Sequence, residues 1–207
     1  DLDRYDVNDT ARLDALTARL NPDGRRLLIC VARLSPEKNL PFIIRAMAQL
    51  KRLKAPPFRL VILGEGAEHD RLDQLARDLG LSGEVTLAGA VPYEDVPAYL
   101  AVADVFVYAS SSETQGMVIL EAMAAGLPVV AVNSSGIDAF VAHEETGLVT
   151  TENINLWTGA LQRLLQDECR QAAMGTAARR VAARHSTKAF AEGVAGAYRA
   201  ALGASGA

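Results

Sequence analysis

Short apolar segments alternate with amphipathic ones along most of the 207-residue chain. The apolar segments are four to six residues long and rich in Val, Ile and Leu, which is typical of buried strands. They lie at Leu27–Ala32, Phe58–Leu63, Glu84–Leu87, Asp104–Tyr108 and Val129–Val132. The amphipathic segments between them have the spacing of helices and lie at Leu40–Leu53, Glu68–Leu79, Tyr93–Val102 and Met117–Ala125. The alternation predicts an α/β fold built on a doubly wound parallel sheet with helices on both faces.

Both ends of the chain are predicted to be helical. A lead-in helix at Thr10–Leu20 precedes the first strand. Three helices follow the sheet, at Asn155–Gln166, Glu168–Arg184 and Thr187–Leu202. We therefore divide the chain into a lead-in segment (residues 1–24), a sheet domain (25–154) and C-terminal helices that pack on it (155–207).

Composition excludes several classes of protein. With 50% hydrophobic and 22% charged residues, the chain is an ordinary folded domain. Its 21 basic and 25 acidic residues argue against a general nucleic-acid binder. The longest charge-free run, Ala122–Ile137, is too short to span a membrane as a helix. Cys30 and Cys169 form no CxxC pair, which predicts a reducing, cytoplasmic location. The scattered histidines match no metal motif, and we predict no dedicated metal site.

Candidate chemistry lies where ligands bind to open parallel sheets, beyond the carboxyl ends of the strands. Arg33 and Lys38 follow the first strand, and Gly64-Glu65-Gly66 follows the second. The segment 110–116 follows the fourth strand and leads into a helix. All three groups are predicted to meet at one edge of the sheet.

A helix that begins near Gly116 would direct the backbone N–H groups of Gly116, Met117 and Val118 toward that edge. Such a helix N-terminus favours an anion. With the positive charges of Arg33 and Lys38 added, the edge suits a diphosphate. The alternative is that this terminus is simply capped.

Glu121 lies on the same helix, among apolar positions. A carboxylate pressed against a sheet is costly unless it is paired, and two adjacent sugar hydroxyls could pair with it. An ion pair with a basic residue such as Arg33 is the alternative. Glu113 stands eight residues before Glu121, and two carboxylates also suggest a glycoside hydrolase. The phosphate-binding elements between them disfavour that interpretation.

The run from Ser112 to Val130 resembles the Glu-x7-Glu signature of the group 1, glycogen-synthase-like retaining glycosyltransferases. Further similarity lies at residues 31–39, 62–66, 87–91 and 103–107, so the resemblance extends from about Leu27 to the last helix. It implies the C-terminal, nucleotide-sugar-binding domain of a two-domain GT-B enzyme, with a Rossmann-like fold.

The resemblance also implies roles for individual residues. Arg33 and Lys38 would bind the donor diphosphate and assist catalysis, and Glu113 would contact the transferred sugar at the reacting face. Glu121 would hold the ribose hydroxyls, and the backbone near Val91 would receive the base. The remaining donor-binding positions are Gly64, Gly116, Met117 and Val118. The donor would be UDP- or GDP-linked, and no other cofactor is implied.

The implied reaction is retaining transfer of a hexose to an acceptor hydroxyl, with a glycolipid or polysaccharide precursor as a candidate acceptor. Residues 1–24 would then include the remnant of an interdomain linker. The N-terminal acceptor domain would be missing, and the isolated domain would be inactive. Through that missing domain the full-length protein could associate peripherally with the inner face of the membrane.

One segment departs from the family pattern. Residues 134–138, Ser-Ser-Gly-Ile-Asp, stand where the family often has Gly-Gly and Pro-Glu, which leaves the role of Asp138 open. Two alternatives also stay open. One is a GT-B enzyme with another reaction, a nucleotide-sugar epimerase or a phosphorylase, although no lysine here stands in a pyridoxal-phosphate motif. The other is a non-catalytic nucleotide-binding module, for which Arg33 stands where a receiver-like fold would have acidic residues.

Overall fold

A computed structural model describes residues 2–110, 112, 116–186 and 191. Six strands form one sheet in the order β3-β2-β1-β4-β5-β6, and every neighbouring pair is parallel. Their bounds are β1 Arg26–Val31, β2 Phe58–Leu63, β3 Val85–Leu87, β4 Val105–Tyr108, β5 Val129–Val132 and β6 Gly147–Thr150. The predicted doubly wound parallel sheet is confirmed.

The helices of the described residues alternate with the strands and then close the domain. They are α1 Thr10–Leu20, α2 Leu40–Arg52, α3 His69–Asp78, α4 Val96–Ala101, α5 Met117–Ala124, α6 Ile154–Leu165 and α7 Glu168–Arg184. Two 3-10 turns lie at Asp3–Tyr5 and Pro36–Lys38. The predicted bounds of these helices and of β1–β5 agree to within one residue, with one exception. Apart from residue 191, the helix predicted at Thr187–Leu202 lies outside the described residues.

The exception is α4, which begins at Val96 and not at Tyr93. Before it the chain makes a turn, in which the N–H of Asp95 donates to the carbonyl of Pro92 over 2.9 Å. Pro97 then occupies the first turn of the helix, where a missing N–H breaks no intrahelical hydrogen bond. Tyr93 therefore belongs to the loop after β3 and not to a helix face.

Strand β6 was not predicted from the sequence. It has only four residues, and two of them are half-buried, so its apolar pattern is weak. It extends the sheet by pairing with β5, with Val129 opposite Gly147. The ring Nδ1 of His143 accepts a hydrogen bond from the N–H of Val149 over 3.0 Å. The loop around His143 thus supplies an acceptor to this strand.

The core explains why the central strands are apolar on both faces. Leu27, Leu28, Ile29 and Cys30 of β1 are all buried, because helices cover both sides of the sheet. On one side α2 packs against α6, where the rings of Phe42 and Trp157 meet edge to face with centroids 5.8 Å apart.

The order of the strands determines where a ligand can bind. Strands β1 and β4 are neighbours, but β1 continues toward β2 and β3 while β4 continues toward β5 and β6. The connections that leave their carboxyl ends therefore diverge and leave a crevice between them.

Candidate functional site

A cleft of about 510 Å³ lies at this crevice. It contains seven of the nine predicted donor-binding positions: Arg33, Lys38, Gly64, Val91, Met117, Val118 and Glu121. Gly116 does not line the cleft but directly precedes Met117 in the chain. Glu113 lies outside the described residues. Residues that follow β1, β2, β3 and β4 in the chain thus line one cleft.

The loop after β1 brings two cations to the cleft. The side chain of Arg33 is 77% exposed and pairs with Glu37 at 3.2 Å. The ammonium of Lys38 donates to the hydroxyl of Tyr108 over 3.2 Å. The hydroxyl of Ser110 donates to the carbonyl of Glu37 over 3.1 Å, which joins this loop to the chain after β4. Both cations therefore stand on a loop anchored to the neighbouring strand.

Glu37 is negatively charged beside these cations. The hydroxyl of Ser35 donates to its carboxylate over 2.7 Å, and this hydrogen bond is the largest cause that lowers the pKa of Glu37. A backbone hydrogen bond, and then Arg33 and Lys38, lower that pKa further. Glu37 is therefore ionised at neutral pH and partly offsets the positive charge of the loop.

The N-terminus of α5 forms another wall of the cleft. Gly116 precedes the helix in a left-handed conformation with a φ of 58° and provides no side-chain cap. A Cβ atom there would lie 2.7 Å from the carbonyl oxygen of Gly136 and 2.8 Å from the ring of Phe140, so only glycine fits. The first N–H groups of a helix have no acceptor within it, and here these belong to Met117 and Val118.

The turn after β2 closes the cleft on the side of the first loop. Gly64 has a φ of 138°, and a Cβ atom there would lie 1.9 Å from the carbonyl oxygen of Ala32. The N–H of Gly64 donates to the carbonyl of Gly89 over 2.8 Å. Gly64 thus allows the turns after β1, β2 and β3 to approach one another where they line the cleft.

Glu121 lies one turn into α5 and is half-buried. Within the described residues Arg33 pairs with Glu37 and not with Glu121. The carboxylate of Glu121 instead accepts a hydrogen bond at Oε1 from the hydroxyl of Tyr93 over 3.0 Å. One oxygen of this carboxylate is thus engaged by the protein.

Residues near the start of the chain surround this pair. The guanidinium of Arg4 lies 4.0 Å from the centroid of the Tyr93 ring and donates to the Tyr93 carbonyl over 2.7 Å. Tyr5 is 1% exposed, and its hydroxyl makes no hydrogen bond within the described residues. Burial raises the pKa of Tyr5 above its usual value, and the neighbouring Tyr93 and Glu121 raise it further.

The sequence pattern did not indicate a role in the site for Arg4, Tyr5, Tyr93 or Tyr108. Tyr108 could have been found, because it is the last residue of a predicted strand and therefore stands at the carboxyl edge. Arg4 meets Tyr93 across 89 positions of sequence, and no periodic pattern indicates that contact. Asp138, whose role the sequence leaves open, is exposed and does not line the cleft.

Comparison with known proteins identifies the family of the chain. The family model of the glycosyl transferases group 1 matches residues 15–181, which is more than half of the chain. The chain belongs to the glycosyl transferases group 1 family. The predicted resemblance is confirmed.

Relatives within this family are glycosyltransferases. The GDP-mannose-dependent α-(1-6)-phosphatidylinositol monomannoside mannosyltransferase of Mycobacterium tuberculosis is 36% identical over 187 residues, which cover 86% of this chain and 48% of the relative. The α-D-kanosaminyltransferase of Streptomyces kanamyceticus is 32% identical over 196 residues, which cover 94% and 50%. The chain spans about half the length of these curated relatives.

Solved structures of similar shape support the same fold. HepE of Anabaena, solved in complex with UDP and glucose, superposes with a TM-score of 0.81 at 26% identity, over 95% of this chain and 55% of HepE. Sucrose-phosphate synthase of Thermosynechococcus elongatus gives 0.82 at 29% identity, over 99% and 51%. The predicted Rossmann-like half of a GT-B fold is confirmed for this group 1 chain.

None of the helices in the described part of the chain is both long and apolar enough to cross a lipid bilayer. The same residues contain no cluster of three His, Cys, Asp or Glu side chains arranged to share a metal ion.

Proposed function

We propose that this group 1 chain binds the nucleoside diphosphate sugar of a retaining glycosyltransferase. The observation that carries the proposal is the meeting of Arg33, Lys38 and the N-terminus of α5 in one cleft, with Glu121 in the same lining. The complete protein would transfer a hexose from that donor to an acceptor hydroxyl. A second domain, which supplies the acceptor site, belongs to the same proposal.

The diphosphate occupies the end of the cleft near the two cations. Two negative charges or more are met there by the guanidinium of Arg33, the ammonium of Lys38 and the first N–H groups of α5. These groups also stabilise the diphosphate as it leaves, when negative charge increases on the oxygen that bridged it to the sugar. Arg33 and Lys38 thus act on both binding and catalysis.

The nucleoside occupies the other end. Glu121 accepts hydrogen bonds from the ribose hydroxyls, and the backbone near Val91 receives the base. Glu113, which lies outside the described residues, is assigned to the transferred sugar on the basis of the family signature.

Transfer with retention follows from attack on the face that the diphosphate leaves. The acceptor oxygen forms a bond to the anomeric carbon as the bond from that carbon to the diphosphate breaks. The proton of the acceptor hydroxyl passes to the departing diphosphate. The protein residues contribute charge stabilisation and orientation, and none forms a covalent bond to the sugar.

The donor is a sugar linked to UDP or to GDP. The mycobacterial relative is named as GDP-mannose-dependent, whereas the HepE structure contains UDP. Both nucleotides therefore belong in the test. Titration calorimetry would measure the binding of UDP, GDP and ADP to this chain. The rise in melting temperature on addition of UDP-, GDP- and ADP-linked sugars would provide a second measurement, and together they would identify the base.

The decisive experiment compares variants of the cleft. Arg33→Ala, Lys38→Ala and Glu121→Ala should each weaken binding of the preferred nucleotide by about tenfold or more. Arg77→Ala is the control, because Arg77 pairs with Asp73 on α3 and does not line the cleft. Unchanged binding in all three cleft variants would refute the proposal.

The two glutamates should have different effects in the complete protein. Glu121→Ala should weaken nucleotide binding, whereas Glu113→Ala should mainly lower turnover. Equal loss of nucleotide binding in both would contradict these assignments. Release of the free nucleotide that depends on an added acceptor would distinguish transfer from epimerisation and from non-catalytic binding.

A further inference from the structure

We propose that Tyr93 is a positioning residue that fixes the carboxylate of Glu121 for the ribose of the donor, and that Arg4 holds Tyr93 in place. The inference rests on the proposed function, because it explains how the residue that would bind the ribose is held in position. It gives residues near the start of the chain a part in nucleotide binding, although no cleft residue lies near them in sequence.

The geometry begins with the hydrogen bond from the Tyr93 hydroxyl to Oε1 of Glu121, at 3.0 Å. A glutamate side chain has three rotatable bonds, and holding it still costs conformational entropy when a ligand binds. A fixed hydrogen bond to one oxygen meets that cost before the ligand arrives. It leaves Oε2, which makes no hydrogen bond within the described residues, to accept from a ligand hydroxyl.

Tyr93 itself is 58% exposed and stands on a turn, so it needs support of its own. Arg4 supplies this support in two ways: its guanidinium lies against the ring at 4.0 Å and donates to the Tyr93 carbonyl over 2.7 Å. Ring and backbone are thus held by one side chain. The turn Asp3–Tyr5 that carries Arg4 packs against both α4 and α5, the helix of Glu121.

Tyr5 lies beside Tyr93 and Glu121. Its hydroxyl is buried close enough to Tyr93 and Glu121 for both to raise its pKa, but its geometry within the described residues makes no hydrogen bond with either. A buried hydroxyl without a partner is costly, and a small movement of the carboxylate or of Tyr93 would satisfy it.

The chain offers a matched control. Arg19 and Tyr99 form a similar arginine–tyrosine pair between α1 and α4, with the guanidinium donating to the Tyr99 hydroxyl over 2.6 Å. This pair lies at a different groove and does not line the donor cleft. Tyr99→Phe therefore removes a hydrogen-bonded tyrosine hydroxyl without touching Glu121.

The test compares ligands that carry the ribose hydroxyls with ligands that lack them. GDP and UDP, their 2′,3′-dideoxy forms and inorganic pyrophosphate are titrated into wild type, Tyr93→Phe, Arg4→Ala, Tyr99→Phe and Glu121→Ala. Tyr93→Phe should weaken binding of the ribonucleotide by about threefold to tenfold, and Arg4→Ala by a smaller factor in the same direction. Neither should change binding of the dideoxy forms or of pyrophosphate, and Tyr99→Phe should change none.

A double variant separates positioning from a merely structural role. In the Glu121→Ala background, Tyr93→Phe should have no further effect, because its partner is gone. Two results would overturn this inference and leave the proposed function intact. In one, Tyr93→Phe lowers the affinity for all ligands equally. In the other, Glu121→Ala lowers the affinity for the ribonucleotide but Tyr93→Phe does not. If Glu121→Ala itself does not weaken ribonucleotide binding, the ribose assignment of the proposed function fails instead.

Discussion

Lys38 and Tyr108 join the two strands that flank the cleft. The ammonium of Lys38, on the loop after β1, donates to the hydroxyl of Tyr108, the last residue of β4, over 3.2 Å. The same ammonium lies 5.8 Å from the centroid of the Tyr108 ring, which is 1% exposed. A flexible lysine is thus restrained at the point where a diphosphate is proposed to bind.

Removal of the Tyr108 hydroxyl should therefore weaken nucleotide binding without unfolding the protein. Tyr108→Phe keeps the buried ring and removes one hydrogen bond to a charged group, so we expect GDP or UDP to bind about twofold to tenfold less tightly. Titration calorimetry measures the change, and Tyr99→Phe is again the control. If Tyr108→Phe has the same effect in a Lys38→Met background, the hydroxyl does not act through Lys38.

The ion pair between Arg33 and Glu37 predicts a variant that binds the nucleotide more tightly than the wild type. Glu37→Gln removes a negative charge beside both cations but keeps an oxygen that can accept from Ser35. Repulsion of the diphosphate should decrease, and nucleotide binding should tighten by about twofold to fourfold at low salt. The gain should shrink at about 0.5 M salt, because exposed charges are screened there.

The pH dependence of that gain follows from the direction of the Glu37 shift. Since its pKa lies below the usual value of 4.5, Glu37 keeps its charge, and its pairing with Arg33, until the pH falls below that value. With a nucleoside diphosphate sugar as ligand, whose doubly esterified phosphates do not titrate in this range, the affinity ratio of variant to wild type should therefore be equal at pH 7.5 and pH 5.5. A ratio that already falls to one at pH 6 would mean that the pKa is raised and not lowered.

The sequence predicted those parts of the site that depend on local pattern. Arg33 and Lys38 follow an apolar strand, and parallel strands place their carboxyl ends at the same edge, so the meeting of these residues with Glu121 follows from the alternation alone. Tyr93 was assigned to a helix, and its contact with Glu121 depends on where α4 begins. That boundary is set by a turn and a proline, which hydrophobic periodicity does not show.

Contacts between distant segments could not be predicted in the same way. The turn Asp3–Tyr5 has no periodic pattern, and its position against α4 and α5 depends on the packing of the whole domain. The ion pair of Arg12 with Asp95 and the hydrogen bond from Arg19 to Tyr99 hold α1 against the same region, across 83 and 80 positions of sequence. The contact of Arg4 with Tyr93 therefore leaves no signal in the local sequence pattern.

Gly64 provides a test of how closely the turns around the cleft are packed. In Gly64→Ala the new Cβ would meet the carbonyl oxygen of Ala32 at 1.9 Å, and the φ of 138° is strained for any other residue. We expect a loss of about 3 kcal/mol or more in the free energy of unfolding, measured with urea. Gly83→Ala is the control, because a Cβ there meets nothing within 4 Å. A loss in Gly64→Ala no larger than in Gly83→Ala would show that the turns can separate without cost.

The two cysteines should differ in reactivity because only one of them is buried. Burial raises the pKa of Cys30, near the carboxyl end of β1, to about 12, and the nearby charge of Lys38 offsets only part of this rise. At pH 8 its thiolate fraction is therefore on the order of 10⁻⁴, and the surrounding helices block access to the sulfur. Cys169 on α7 is exposed. A chromogenic disulfide reagent should thus react with one thiol per native chain at pH 8 and with two in urea, and Cys169→Ser should abolish the native reaction. Rapid reaction of a second thiol in the native protein would mean that β1 opens to solvent, and the cleft built on its carboxyl end would then be far less rigid than its hydrogen bonds indicate.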